Sequence, residues 1–182
     1  MKRIKLKGKH SKIEVKDGLL IKRFDKRLAY NFWKEAYFLS LLQPYKFVPK
    51  VYSINPKLLE IEMEFLDGCY ISDLLIENTN KEIVKNCLEI CYLLDRIGIR
   101  KEEMTHPDRH IIILESKPYF IDFERAHFVA LSKNPGNLTQ FVNYLARMKM
   151  ISIDERLIQA LKAYKQKINE ENFKNLLRIL FR

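Results

Sequence analysis

The chain has 182 residues, 47% of them hydrophobic, enough to bury one core or two small lobes but not two large independent domains. A formal net charge of +10 attracts phosphate, whether nucleotide, RNA or an acidic partner surface, and no apolar run approaches the ~18 residues that span a bilayer. The basic start MKRIKLKGKHSK has no apolar segment behind it, so a soluble, cytoplasmic protein without a membrane partner is expected.

From Arg3 to Phe24 polar and apolar residues alternate, and Lys16-Asp17-Gly18 supplies the strongest short-range hairpin signal. This stretch reads as three antiparallel strands with the first turn at Gly8 to Lys12. Over Leu28 to Leu42 the period changes: Leu28, Phe32, Trp33, Ala36, Leu39 and Leu42 recur at helical steps, and Pro44 ends the helix. Val48 to Ile54 and Leu58 to Leu66 are two more strands joined at Asn55-Pro56-Lys57. Helices follow over Tyr70 to Glu77 and Lys81 to Ile97, then a polar stretch from Arg100 to Arg109. Two short strands, His110 to Leu114 and Tyr119 to Phe123, are joined by Glu115 to Pro118. The remainder is helical, Leu138 to Met148 and Asp154 to Phe181, with Asn137 and Ser152 as caps. Segregated strands and helices indicate an α+β fold. Cys87 and Cys91 lie four apart in an apolar helical pattern with no second Cys/His pair, so all three cysteines, Cys69 included, read as reduced core thiols rather than a zinc site.

Four segments carry candidate chemistry. Lys22 shares its strand face with Leu20 and Phe24, whereas Arg23 groups with Leu19 and Ile21, so Lys22 needs a counter-charge. Glu35, on the next helix beside the apolar stripe, can supply it. Asp122 follows an apolar strand, where a fixed carboxylate could hold magnesium against nucleotide phosphates. Met63 to Gly68 leaves the fifth strand with backbone groups suited to an adenine edge. Taken singly, Lys22 and Glu35 also read as solvated charges, Asp122 as an acid closing a strand, and Met63 to Gly68 as a turn.

Together and in this order the segments resemble the protein-kinase-like superfamily. Leu20-Ile21-Lys22 resembles its V-A-I-K strand, Glu35 its helix glutamate, Met63 to Gly68 its M-E-Y-x-E-G hinge, and Asp122-Phe123-Glu124 its D-F-G. The match runs from about Lys5 to about Tyr144 and looks most like the minimal atypical kinases of archaea, similar to RIO kinases and the kinase subunit of the KEOPS complex. The resemblance implies a two-lobe fold: an N-lobe over 1–67 with a five-stranded antiparallel sheet and one helix, and a reduced helical C-lobe over 68–182. It implies ATP and Mg2+ as cofactors and a serine/threonine acceptor. Lys22, positioned by Glu35, would engage the phosphates. Ser11 would help hold them, Met63, Glu64 and Leu66 would line the adenine pocket, and Asp122, with His110, would hold the metal. A cleft lysine has no packing role, so losing Lys22 is expected to weaken nucleotide binding and leave the fold intact.

The departures bear on activity. Nothing matches H-R-D-L-x-x-x-N; His110 stands where the asparagine belongs, and five residues back is Thr105, which cannot act as a base. Glu103 and Asp108 remain as candidate bases, and Glu103 is preferred because it leaves room for a full loop before Asp122, with Thr105 to Arg109 bulging outwards at Pro107. The glycine-rich loop is reduced to Gly8-Lys9-His10-Ser11-Lys12, and Glu124 replaces the D-F-G glycine, so no flipping activation switch is expected. Two alternatives keep the fold: a pseudokinase or ATPase-like scaffold that binds RNA or a partner protein, and a small-molecule kinase.

Overall fold

The computed structural model describes residues 4–7, 11–77, 81–130 and 133–181, and Gly8, Lys9 and His10 of the expected phosphate turn lie outside them. The chain forms two compact units, Met1–Gly68 with Tyr119–Ala126, and Cys69–Pro118 with His127–Arg182. Both mix helices with antiparallel strands, an α+β fold. Among the described residues no helix is long and apolar enough to cross a membrane.

The first unit is built on strands β1 (Ile4–Lys7), β2 (Ser11–Lys16), β3 (Leu19–Phe24), β4 (Val51–Asn55) and β5 (Glu60–Glu64). They form one antiparallel sheet in the order β1-β2-β3-β5-β4, so β3 is central. Asp17 and Gly18 both have positive φ (52° and 78°), the mirror-image turn whose twist matches the strands it joins. Helix α1 (Ala29–Leu42) turns Phe32, Glu35, Ala36, Phe38, Leu39 and Leu42 inward. Pairs three and four apart among them, such as Phe32 with Glu35 and Ala36, or Phe38 and Leu39 with Leu42, gather them on one side of a 3.6-residue helix. Each buried Phe and Leu among them contributes roughly 1.5–3 kcal/mol of transfer free energy. The Phe24 and Phe32 rings meet edge to face at 5.9 Å, tying the helix to β3.

After α1, the Gln43 amide fastens the exit loop: its Nε2 donates to the carbonyls of Leu39 (3.1 Å) and Pro49 (2.9 Å), and its Oε1 accepts from the Val51 N–H at 3.2 Å. The later segment of the unit docks through Phe120, whose N–H donates to the Phe47 carbonyl at 2.7 Å and whose ring meets Phe47 edge to face.

The second unit is mainly helical: α2 (Ile71–Glu77), α3 (Lys81–Arg96), α4 (Asn137–Arg147), α5 (Glu155–Gln166) and α6 (Glu170–Leu180). Its core packs Ile83, Val84, Cys87, Leu88, Cys91 and Leu94 of α3 with Leu138, Phe141, Val142 and Leu145 of α4. Gly98, at φ 76°, ends the run of α3 and its N–H donates to the Asp95 carbonyl at 3.3 Å. Short strands complete the unit: β6 (Cys69–Tyr70) pairs with β8 (Ile111–Leu114), and β7 (Ile99–Arg100) with β10 (His127–Phe128). Strand β9 (Lys117–Phe120) carries the chain out of this unit at Pro118.

Several sequence expectations are corrected locally. The expected helix from Asp154 to Phe181 is two helices: α5 stops at Gln166, and the Asn169 side chain caps α6 by accepting from the Asn172 N–H at 2.9 Å. Asp154, not Ser152, caps α5, accepting from the Leu157 N–H at 2.8 Å. Asn137 is the first residue of α4 rather than its cap. The β8–β9 turn is only Glu115-Ser116, both at positive φ, so Lys117 and Pro118 belong to the strand. Cys87 and Cys91 are buried thiols, with burial pushing both pKa values up, but Cys69 is exposed on β6.

Candidate functional site

Lys22 lies on β3, opposite Ile13 of β2 and Ile61 of β5. Strand alternation turns it to the same side as Phe24, and both are buried while Arg23 between them is exposed and pairs with Glu60 on the neighbouring strand. The Lys22 ammonium stands 3.3 Å from the Glu35 carboxylate and 3.1 Å from that of Asp122. It also sits 5.1 Å from the Phe24 ring centroid, a cation–π contact. All four residues belong to the first unit.

The three charges are graded in burial. The side chains of Glu35 and Lys22 are 2% and 9% exposed, while that of Asp122 keeps 36%. Burial favours the neutral amine of Lys22, but Glu35 and Asp122, with Glu124 as a further contributor, outweigh it and hold the pKa above the ordinary lysine value. Lys22 is therefore a fixed cation. It is also not the packing-neutral cleft lysine expected from sequence, because it compensates a buried carboxylate.

Asp122 has φ 64°, a left-handed backbone that a non-glycine residue adopts at a cost of order 1 kcal/mol or more. Phe123, wholly buried, and the Ala126 N–H, which donates to the Phe123 carbonyl at 3.0 Å, hold the turn in this shape. The strained residue is thus the carboxylate itself, and Glu124, two residues on, is buried.

The remaining nucleotide candidates of the first unit lie around the same sheet. Ser11 starts β2 opposite Phe24, and Met63 and Leu66 are buried. The Glu64 and Phe65 amides are taken by the carbonyls of Lys50 (2.8 Å) and Gly18 (3.0 Å), so neither amide is offered to a ligand.

Glu103, Asp108 and His110 belong to the second unit. Glu103 opens a short 3-10 turn and accepts from Lys101 Nζ at 3.5 Å; Lys101 is fully buried and the Glu103 side chain 12% exposed. Asp108 sits in the next such turn, Pro107–Arg109, half-buried. Its Oδ1 accepts from the Tyr144 hydroxyl at 3.2 Å, and its backbone carbonyl from Ser72 Oγ at 3.3 Å. Burial first, then the Asp108 carboxylate, keep the Tyr144 hydroxyl protonated well above its usual range. Arg147 braces this loop by donating to the Thr105 carbonyl at 2.5 Å, with its guanidinium 5.4 Å from the Tyr144 ring centroid, a cation–π contact. The His110 N–H donates to the Pro107 carbonyl at 2.8 Å, closing the second turn.

Sequence reasoning missed three contributors. Lys101 stands in a polar stretch with no pattern to mark it as buried. Tyr144 falls within the expected helix from Leu138 to Met148, with nothing to mark its hydroxyl as what meets Asp108. Asp95 organises the second unit, accepting from Asn137 and Tyr164, residues 42 and 69 positions away, beyond any local signal.

No family model matches the chain. Over 75 residues it is 35% identical to the uncharacterized protein MJ1211 of Methanocaldococcus jannaschii, a match that takes in 40% of this chain and 64% of that relative's length.

Proposed function

We propose that this chain is a minimal atypical serine/threonine protein kinase, an ATP- and magnesium-dependent phosphotransferase with a protein-kinase-like two-lobe fold. The observation that carries the reading is the Lys22 ammonium held between the buried Glu35 carboxylate and the partly exposed, backbone-strained Asp122. A fixed cation beside an accessible carboxylate is what a nucleotide triphosphate with its metal requires, the lysine for phosphate oxygens and the aspartate for the ion. Among the described residues no group of three or more His, Cys, Asp and Glu side chains stands ready as a metal cage. Magnesium fits that donor set, because it binds through one or two carboxylates plus phosphate oxygens and water. Bound magnesium would neutralise charge on the phosphates. Glu35 fixes the direction of the lysine, so that positioning and electrostatics supply the rate.

Of the two candidate bases, Asp108 has the better support in its surroundings. Glu103 is committed to the buried Lys101 ammonium, which holds its carboxylate at 3.5 Å. Asp108 is oriented by a neutral hydroxyl and keeps partial exposure. Transfer of radiolabelled γ-phosphate to protein tests this. Asp108→Asn is expected to lower turnover by about a hundredfold or more with ATP affinity nearly unchanged. Glu103→Gln is expected to act mainly on stability, costing roughly 1–3 kcal/mol as Lys101 loses a partner. A turnover loss confined to Glu103→Gln would return the role to Glu103. Nucleotide binding without any transfer by the wild-type protein would leave a scaffold.

A further inference from the structure

Helix α1 is apolar on two opposite sides. Its inward residues hold the sheet, but Tyr30, Trp33, Tyr37 and Leu41, at spacings of three, four and four, are 73%, 53%, 55% and 40% exposed. At 100° per residue these four fall within a stripe about 80° wide and about 16 Å long, opposite the buried face. A helix that is apolar all round is normally enclosed. Large aromatic side chains bury 150–250 Å² each, so the exposed fractions leave on the order of 400 Å² of contact surface, about half of one partner's share of a standard interface. Scattered single exposures would need no explanation, whereas a continuous aromatic ridge marks an interaction surface.

We propose that this ridge docks an amphipathic helix of a partner protein, with acidic residues flanking its apolar seam. The spacing presents ridges of the kind into which a second helix packs. The charges select the chemistry. The only acid in α1 is Glu35, which is buried, and its one cation, Lys34, stands 5.4 Å over the Tyr30 ring beside the stripe. Exposed Lys26 and Arg27 precede the helix and exposed Lys46 follows it, while the nearby acid, Asp25, is engaged by Arg27 at 3.3 Å. A second copy of this chain would bring the same cations to the contact and a net charge of +10 to each side. Single-stranded nucleic acid would need a cationic groove tracking its backbone beside the stacking platform; α1 offers a convex ridge with one lysine along its 14 residues.

The test places the photo-crosslinker p-benzoylphenylalanine at Tyr37 of the full chain, irradiates cells expressing it, and maps the adduct by mass spectrometry. One protein adduct is expected, cross-linked through an acidic segment that is helical. Binding of that purified partner, followed by the fluorescence of Trp33, the one tryptophan in the chain, is expected to weaken as salt rises. A second arm replaces Leu41, leaving the reporter in place: Leu41→Asp should reduce affinity at least tenfold with an unchanged melting temperature, and Tyr30→Asp should do the same if Leu41→Asp perturbs folding. Adducts only with a second copy, only with RNA, or with a basic segment would overturn the proposal, as would no adduct or full affinity in the folded variants.

Discussion

Lys22→Ala is expected to abolish measurable ATP binding and also to lower the unfolding free energy by about 3 kcal/mol or more. The stability loss follows from burial: with the ammonium gone, Glu35, only 2% exposed, loses the cation 3.3 Å away, and breaking one side of a buried pair typically costs 3–5 kcal/mol. Because lost binding could then reflect a lost fold, the informative variant is Lys22→Met with Glu35→Gln. Replacing both partners by neutral groups of similar volume removes both buried charges together. Denaturant unfolding is expected to show most of the stability restored in the double variant, while calorimetry still shows no nucleotide binding. If the double variant binds ATP as the wild type does, the pair is structural only.

Asp95→Ala should be the most destabilising single change in the second unit, by about 4 kcal/mol in chemical denaturation. Asp95 is 3% exposed, and its carboxylate gathers four donors from two helices: the Asn137 N–H at 2.9 Å and its side-chain amide at 2.8 Å, the Leu138 N–H at 3.2 Å, and the Tyr164 hydroxyl at 2.9 Å. It thereby caps α4 from α3, satisfying amides that the helix start leaves open. Truncation strands several buried donors, each costing about 1–3 kcal/mol before relaxation. Asp95→Asn keeps one acceptor and is expected to cost about half as much. Burial outweighs these hydrogen bonds and raises the Asp95 pKa above its ordinary 3.8. The folded state thus holds the proton more tightly than the unfolded one, and the contribution of this group to stability falls as pH rises from near 4 through the raised value. The stability gap between wild type and Asp95→Asn should therefore narrow over that window. A gap that widens with pH would mean the carboxylate is better satisfied than its burial implies.

What could be read from the sequence follows the range of the forces involved. Alternation along β3 placed Lys22 on the buried face, and the 3.6-residue period placed Glu35 beside the core of α1, because both patterns are local. Trp33 fell within the same apolar pattern, yet it lies in the outward stripe; composition cannot tell which of two apolar faces meets the sheet. The two-residue strands β6, β7 and β10 are too short to show a period. The break at Lys167 to Asn169 is carried by the Asn169 side chain inside an otherwise helical pattern. The left-handed backbone of Asp122 has no sequence signature either, since non-glycine residues take it only where the surroundings enforce it. Nor could the contrast between Glu103 and Asp108 be read ahead, because it depends on Lys101 being buried and on Tyr144, which stands 36 residues beyond Asp108.

The most direct test of the Lys22–Glu35–Asp122 arrangement as a nucleotide site is calorimetric titration of ATP into wild type and Asp122→Asn, with and without magnesium. Asp122 is the exposed member of the three, so its neutral isostere leaves the buried Lys22–Glu35 pair intact and should not unfold the protein. Saturable binding is predicted for the wild type with magnesium, weakened at least tenfold either by omitting the metal or by Asp122→Asn. Wild-type protein that binds no ATP, or that binds it equally well without magnesium and with asparagine in place of Asp122, would contradict the account.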